Sequence, residues 1–241
     1  MEMPTEMQHQ AMGYDRAATM FSPDGHLLQV EYAEKTVRLG SSSIGLVCKD
    51  GVVIVADKRI RDKLIAPESA NKIFEIDEHV MTTAAGILSD ARILVEGVQV
   101  LAQQNRITYG SPVEPIVVIR AIADKKQMST QYGGLRPYGV AFLLGGVSKG
   151  KAHLYTSDVT GNYFAYRANA IGENDEQIKE ILRRDFNDNM TIDEGLKFIM
   201  KIFKETMGKN FESSRFDGAY IRLDKPFLVK LQGEDLKKYS K

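Results

Sequence analysis

The chain has 241 residues, of which 43% are hydrophobic and 27% charged, and its formal net charge is zero. This length allows one or two domains with a substantial core, and the composition is ordinary for a soluble globular protein. The neutral balance gives no electrostatic reason to expect binding to nucleic acid or to an anionic membrane. The single cysteine, Cys48, excludes a disulfide framework and favours an intracellular protein.

Residues 1–13 are rich in Met and Gln and show no periodicity, so we expect a flexible tail. They carry neither a basic start nor an apolar run, and a signal peptide is not expected. A run of 18 apolar residues occurs nowhere in the chain, so no membrane span is expected either.

The pattern over residues 23–39 predicts the first helix. Ser22 is predicted to cap its amino end, Pro23 to occupy its first position and Gly40 to end it in a left-handed conformation. Helical spacing gives two apolar stripes, which are His26, Leu27, Val30, Ala33 and Val37 on one side and Leu28, Tyr32 and Leu39 on another. A monomeric domain needs one such stripe, so the second packs either against a partner subunit or under a loop of the same domain.

The remaining pattern predicts four strands, two helices, three strands, two helices, two strands and a short helix from Glu234. Ser89 and Asp90 are predicted to cap the first of these helices, Pro112 or Pro115 to begin the second and Thr191 to cap a later one. The predicted strands are 43–48, 52–57, 73–76, 80–85, 140–146, 153–157, 163–165, 218–223 and 226–231. Hairpin-linked strands are antiparallel and paired helices cover sheet faces, so residues 14–241 are predicted to form one α+β domain with helical outer layers.

The search for reactive groups finds little. The four histidines, His9, His26, His79 and His153, are scattered without ligand spacing, so no metal site is expected. Nucleophile elbows, phosphate loops and dinucleotide fingerprints are absent from the sequence, and no cofactor is expected.

One constellation could support catalysis. Ser41 follows Gly40 at the predicted change from helix to strand, Asp57 ends the next strand, and Lys72 precedes the third. A hydroxyl nucleophile assisted by a lysine and a carboxylate is feasible chemistry, although this spacing alone is a weak signal.

Two longer motifs resemble the signature of the proteasome α subunit family. The first joins Tyr14-Asp15-Arg16 to Phe-Ser-Pro-Asp-Gly-His-Leu at 21–27 and Gln-Val-Glu-Tyr-Ala at 29–33; the second is Gln-Tyr-Gly-Gly-Leu-Arg-Pro-Tyr-Gly at 131–139. The resemblance runs from Tyr14 to the last helix, and the compact chain is most similar to an archaeal α subunit. It implies the N-terminal-nucleophile hydrolase fold, a four-layer αββα sandwich with an extra amino-terminal helix.

In this family, seven α subunits form an outer ring that caps a ring of β subunits, and the β subunits cut peptides with an N-terminal threonine. The resemblance therefore implies a non-catalytic cytoplasmic subunit without a cofactor, which gates substrate entry. The implied partners are the other α subunits, the β subunits, an activator ATPase that docks a C-terminal carboxylate, and unfolded protein substrates in transit, but neither nucleic acid nor a membrane.

The motif positions imply three groups of site residues. The gate group, which would hold the gate segment 1–13, is Tyr14, Asp15, Arg16, Pro23 and Tyr32. The activator-binding group is Lys72, which would take the carboxylate, with Glu31, Gly40 and Gly86 lining the same region. The channel constriction is Tyr132, Gly133 and Gly134, where glycines let the backbone line a tight opening.

The alternative is a self-processing amidohydrolase of the same superfamily. Ser41, Asp57 and Lys72 align roughly with the catalytic threonine, aspartate and lysine of β subunits, and cleavage after Gly40 would free the amine of Ser41. Serine matches the family's threonine poorly, and cleavage would remove the whole helix predicted at 23–39. Both observations disfavour catalysis by this chain.

Overall fold

The computed structural model describes residues 12–60, 62 and 64–240, and most of the tail predicted at 1–13 lies outside them. The strands of the described part are β1 Ser43–Cys48, β2 Gly51–Asp57, β3 Ile73–Asp77, β4 Val80–Gly86, β5 Val140–Ser148, β6 Lys151–Ser157, β7 Tyr163–Ala165, β8 Ala168–Ile171, β9 Phe216–Arg222 and β10 Leu228–Leu231. The helices are α1 Leu28–Leu39, α2 Leu88–Tyr109, α3 Pro115–Ser129, α4 Asp175–Asp185, α5 Ile192–Met207 and the short α6 Gly233–Leu236.

The strands form two five-stranded sheets with antiparallel pairing throughout. The first sheet has the order β10-β9-β2-β1-β8 and the second the order β3-β4-β5-β6-β7. The β1–β2 hairpin therefore belongs to the first sheet and the β3–β4 hairpin to the second.

Three apolar layers hold the sandwich together. Val52 and Ile54 of β2 pack against Met81 and Leu143 of the second sheet, so the sheets face each other. Val53 and its neighbours on the other face of β2 pack under α4 and α5, while α2 and α3 cover the outer face of the second sheet. Because both faces of β2 are buried, its residues 52–56 are all apolar. The predicted four-layer αββα sandwich is confirmed.

The prediction missed strand β8, which pairs with β1 at the edge of the first sheet. Its sequence, Ala-Asn-Ala-Ile, contains a polar residue at a buried position. The Asn169 side chain donates a hydrogen bond to Thr156 Oγ1 at 2.9 Å, and its Oδ1 accepts one from the Ala170 amide. A short strand with a buried amide has no clear alternating pattern, so periodicity did not find it.

Helix α1 begins at Leu28, five residues later than predicted, and the predicted roles of Ser22 and Pro23 are wrong. Ser22 caps a separate turn over residues 22–26, where its hydroxyl and its amide both bond to His26, at 3.1 and 2.9 Å. Gly40 does follow the helix, but its φ of −70° is extended rather than left-handed. The chain there continues directly toward β1.

The two predicted stripes of α1 are buried to different extents. Val30 and Ala33 pack against Val159 of the β6–β7 turn, so this stripe contacts a loop of the same domain. In the second stripe Leu28 is buried, whereas Leu39 is 77% exposed. The second stripe is therefore only partly covered by the chain itself.

The predicted helix caps had mixed outcomes. Thr191 caps α5 as predicted, in a capping box with Glu194. Helix α3 begins at Pro115, one of the two alternatives. Ser89 and Asp90 lie inside α2, whose N-cap residue is Ile87 and has no side-chain cap, so that prediction is wrong.

Candidate functional site

Lys72 lies immediately before β3 and is only 3% exposed. Its ammonium donates to the carbonyl oxygen of Ser41 at 2.6 Å and to the Ser41 hydroxyl. Burial lowers the pKa of Lys72 to about 7; the charge of Asp57 opposes this shift and that of Arg59 adds to it. Near neutral pH this lysine therefore titrates, which few lysines do.

Asp57, at the end of β2, is 1% exposed, and its carboxylate interacts mainly with groups other than Lys72. Its carboxylate accepts hydrogen bonds from Arg215 Nη2 at 2.7 Å, from Arg215 Nε at 3.2 Å and from the amide of Arg59 at 3.0 Å. The Arg59 guanidinium in turn pairs with Glu173. The main charge partner of this buried carboxylate is thus an arginine 158 positions away in the sequence.

The structure brings Ser41, Asp57 and Lys72 together, as the spacing suggested. The Ser41 hydroxyl donates to the backbone oxygen of Asp57 at 2.7 Å. Gly40, just before it, accepts a hydrogen bond from the Glu173 amide at 2.7 Å and donates one to Val37 of α1. Ser41 therefore lies in a continuous segment that is hydrogen-bonded on both sides of the peptide bond that self-processing would cut.

Three glycines let the end of α1 approach the second sheet closely. A Cβ at Gly40 would lie 2.3 Å from the amide nitrogen of Gly86, and a Cβ at Gly86 would lie 2.2 Å from the oxygen of Gly139. Gly86 also has a φ of +115°, which favours glycine. Thr36 of α1 donates to that same Gly139 oxygen at 2.9 Å. Gly40 and Gly86, predicted to line one region, are in direct contact.

Asp90 anchors the glycine-rich loop at 131–139. Its carboxylate accepts hydrogen bonds from Arg136 at 2.6 and 2.7 Å and from the amide of Gly139 at 3.0 Å. Burial alone would raise the pKa of Asp90, but these hydrogen bonds outweigh burial and lower it. Sequence reasoning assigned Asp90 to a helix cap and missed this role.

The predicted constriction residues project from that anchored base. Tyr132 is 56% exposed, and Gly133 and Gly134 are exposed beside it. Gly134 has a φ of +85°, so the turn requires a residue that tolerates a left-handed backbone. The loop thus presents one aromatic side chain on a fixed glycine turn.

The predicted gate residues lie around the start of α1. Gln29 of α1 donates to the backbone oxygen of Asp15 at 2.5 Å, which fixes the segment containing Tyr14, Asp15 and Arg16 on the helix. The Oδ1 atom of Asp15 is buried and has no hydrogen-bond partner among the described residues. Pro23 is exposed in the 22–26 turn.

Tyr32 and Glu31 lie on α1 itself. The ammonium of Lys35 lies 5.3 Å from the centre of the Tyr32 ring, and Glu31 pairs with His26 at 2.5 Å. Nine residues of helix separate Glu31 from Gly40, which is roughly 13 Å at the α-helical rise. Within this chain Glu31 therefore stands apart from Lys72, Gly40 and Gly86.

The described residues contain neither a cluster of potential metal ligands nor a helix suited to crossing a membrane. Across 12–60, 62 and 64–240, no cluster of three or more His, Cys, Asp or Glu side chains has the arrangement of a metal site. None of the helices found there has the length and apolar character required to cross a membrane.

Comparison with known proteins identifies the family. A family model described as "Proteasome subunit" matches residues 37–221, and a second model, for the N-terminal signature of A-type proteasome subunits, matches residues 14–35. A proteasome alpha subunit of Pyrococcus abyssi is 44% identical over 227 residues, covering 94% of this chain and 86% of the relative. That of Thermococcus sibiricus is 45% identical over 204 residues (83% and 78%), and that of Methanosarcina acetivorans 41% over 229 residues (95% and 92%). The chain therefore belongs to the proteasome subunit family, and its amino-terminal signature places it among the α-type subunits.

Proposed function

We propose that this chain forms a seven-membered outer ring of a proteasome core particle, where it gates substrate entry and docks an activator without cutting peptides itself. The observation that carries the proposal is the integration of α1 into the domain. Val30 and Ala33 pack on Val159, Thr36 bonds to Gly139, and Gly40 lies against Gly86. Self-cleavage of the peptide bond between Gly40 and Ser41, with release of the segment that contains α1, would remove all these contacts.

Imaging and mass measurement test this proposal. Negative-stain images of the purified protein are expected to contain seven-fold rings, and the intact mass is expected to include residues N-terminal to Ser41. Monomers with amidase activity, or a mature chain that begins at Ser41, would favour the self-processing hydrolase instead.

We assign the gate to residues 1–13, held open by Tyr14, Asp15, Arg16, Pro23 and Tyr32. The hydrogen bond from Gln29 of α1 to the backbone oxygen of Asp15 supports this assignment, since it holds on the helix the segment into which residues 1–13 lead.

A deletion of residues 2–13 tests the gate. In particles assembled with β subunits, it is expected to raise the hydrolysis of a short peptide, because the obstruction is lost. A variant in which a Gly-Ser segment of equal length replaces these residues keeps the length of the gate but not its sequence. It therefore shows whether gating depends on the sequence or only on the presence of a segment. An unchanged rate after the deletion would remove the gating role.

We assign activator docking to Lys72, with Gly40 and Gly86 beside it and Glu31 contributed from elsewhere in the ring. The support is chemical. A buried ammonium that currently donates to Ser41 can exchange that neutral acceptor for an incoming carboxylate, which is a stronger partner.

Lys72→Ala is expected to reduce activator-stimulated protein degradation while leaving rings and unstimulated peptide hydrolysis intact. Lys149→Ala is the control, because Lys149 is an exposed lysine that pairs with Glu114, away from Lys72. Equal stimulation in the two variants would contradict the docking role.

We assign the axial constriction to Tyr132, Gly133 and Gly134. The exposed Tyr132 on a turn anchored through Asp90 and Arg136 supports this assignment, since a channel lining must hold its shape against a moving chain. The remaining partners, the β subunits and unfolded substrates, follow from this place in the particle.

A further inference from the structure

Helix α5 presents three lysines on one exposed face. Lys197, Lys201 and Lys204 follow the spacing i, i+4, i+7, which places them on the same side of the helix. The opposite side carries Leu196 and Phe203, which are buried against the first sheet. Among the described residues, the fold therefore buries the apolar side of α5 and leaves the lysine side exposed.

These lysines line a groove against the C-terminal end of the described chain. Together with Phe198, Tyr239 and Ser240 they enclose a cavity of about 300 Å³. Phe198 packs on the core of the domain, and Tyr239 is buried and donates to Asp193 at 2.7 Å. The groove thus has a rigid, partly aromatic wall and three ammonium groups along its rim.

Acids of the described residues offset the positive charge of the groove only in part: Glu194 lies near Lys197, and Asp185 of α4, which pairs with Arg184, lies near Lys201. No ion pair of Lys197, Lys201 or Lys204 occurs across 12–60, 62 and 64–240. The nearest acids on α5 have other partners, since Asp193 accepts from Tyr239 and Glu194 completes the capping box with Thr191. Like charges at this spacing repel one another, although the helix dipole favours Lys204 in the last turn of α5.

We propose that this groove binds an extended, acidic segment of a partner protein. The helical rise puts Lys197 and Lys201 about 6 Å apart along the axis and Lys204 about 4.5 Å further on. Alternate residues of an extended chain are about 6.6–7 Å apart and point to the same side. Carboxylates on alternate residues are spaced somewhat more widely than the lysines, and the long lysine side chains can span the difference while the segment lies against Phe198 and Tyr239.

The charge pattern favours a peptide over a nucleic acid. The three lysines span only about 10 Å of helix, whereas proteins that bind duplex DNA commonly neutralise about 6–10 phosphates. Glu194 and Glu205 flank the lysines on α5, and the whole chain is neutral. A short acidic segment fits between these flanking carboxylates, but a continuous phosphate backbone does not. This surface lies on α5 and extends the proposed function beyond the Lys72 site.

Fluorescence anisotropy with a labelled octapeptide that has glutamate at alternate positions tests the proposal. The assembled protein is expected to bind it at about 50 mM salt and to release it as salt rises, because screening shortens the reach of exposed charges. The triple variant K197Q/K201Q/K204Q should bind at least tenfold more weakly. The matched control K125Q/K151Q/K225Q removes the same charge from exposed lysines elsewhere and should change affinity less than twofold.

A variant and a peptide that both have reversed charge provide a second readout. K197E/K201E/K204E should lose the glutamate peptide and gain a peptide with lysine at alternate positions, a result that loss of folding cannot produce. The proposal would be overturned if both glutamine variants lost affinity for the glutamate peptide equally. It would also be overturned if a peptide with glutamine in place of glutamate bound equally well, or if the glutamate peptide did not bind at low salt. Tighter binding of a single-stranded oligonucleotide, lost in K197Q/K201Q/K204Q, would overturn it in favour of a nucleic-acid surface.

Discussion

The anchor between Asp90 and the loop at 131–139 gives the sharpest prediction. Asp90→Ala removes two hydrogen bonds from Arg136 and one from the amide of Gly139. The Gly139 oxygen would still accept hydrogen bonds from the Ile87 amide and from the Thr36 hydroxyl, both at 2.9 Å. We expect the loop that carries Tyr132 to open locally without loss of the fold.

The magnitude follows from the exposure of each partner. Arg136 is 60% exposed, so water screens its two bonds and together they contribute about 1 kcal/mol. The Gly139 amide is buried, and leaving such a donor unpaired costs about 1–3 kcal/mol. The free energy of local opening should therefore fall by about 2–4 kcal/mol in Asp90→Ala. In Arg136→Ala it should fall by only about 1 kcal/mol, because Asp90 keeps the amide.

Amide hydrogen exchange at Ile87 and Gly139 measures this opening. A change of 2–4 kcal/mol corresponds to roughly 30- to 700-fold faster exchange, and Asp124→Ala, on an exposed position of α3, is the control. Because the folded-state pKa of Asp90 is lowered, its carboxylate stabilises the loop at pH values above its unfolded-state pKa. This stabilisation disappears as the pH falls through the folded-state pKa. Protection that falls less than threefold in Asp90→Ala, or falls equally in Arg136→Ala, would refute this reasoning.

Three further predictions concern buried groups. Burial lowers the pKa of Lys126 to about 7. Between about pH 7 and pH 10 the unfolded chain therefore binds more protons than the folded chain. Relative to the Lys126→Met variant, the free energy of unfolding in urea should rise with pH in this range by up to about 1.4 kcal/mol per pH unit. The pKa of Lys72 is also about 7, so activator-stimulated degradation should fall above that pH while unstimulated peptide hydrolysis does not. Gly86→Ala should lower the unfolding temperature or prevent folding, because its Cβ would lie 2.2 Å from an oxygen, whereas Gly133→Ala, with open space around it, should change little.

The layers of the fold could be predicted because burial imposes a period on the sequence. Residues 52–56 of β2 are all apolar since both faces of the strand are covered, and α5 repeats its apolar residues at helical spacing above it. Strand β8 departed from this rule because Asn169 is buried and satisfied by Thr156, a partner in the other sheet. A polar residue with a specific partner is invisible to a pattern that counts apolar positions.

The ends of α1 and α2 could not be predicted, because distant contacts decide between equivalent local choices. Ser22 has the chemistry of a helix cap, yet it closes a tighter turn with His26. The backbone of Gly40 is extended because the chain passes against Gly86 rather than turning back. Asp90 suits the first turn of a helix, but its carboxylate reaches Arg136, 46 residues away.

The candidate docking site shows the same limit. Its spacing identified Ser41, Asp57 and Lys72, and the structure brings all three together. What they can do depends on Arg215, which neutralises Asp57, and on Glu173, which bonds to Gly40. Both come from segments with no motif that connects them to the site.

Burial gives the protonated and neutral forms of the Lys72 side chain similar free energies at neutral pH. Its ammonium loses hydration, and the Ser41 carbonyl and hydroxyl, which are neutral, replace only part of it, so the pKa falls to about 7. A carboxylate placed beside the nitrogen would stabilise the charged form and raise that pKa, so docking would be accompanied by proton uptake. An uncharged C-terminal amide could not do this. In the docking role proposed for Lys72, the site would therefore select for the charge of the incoming terminus as well as for its shape, and Ser41 would hold the lysine in position until that charge arrives.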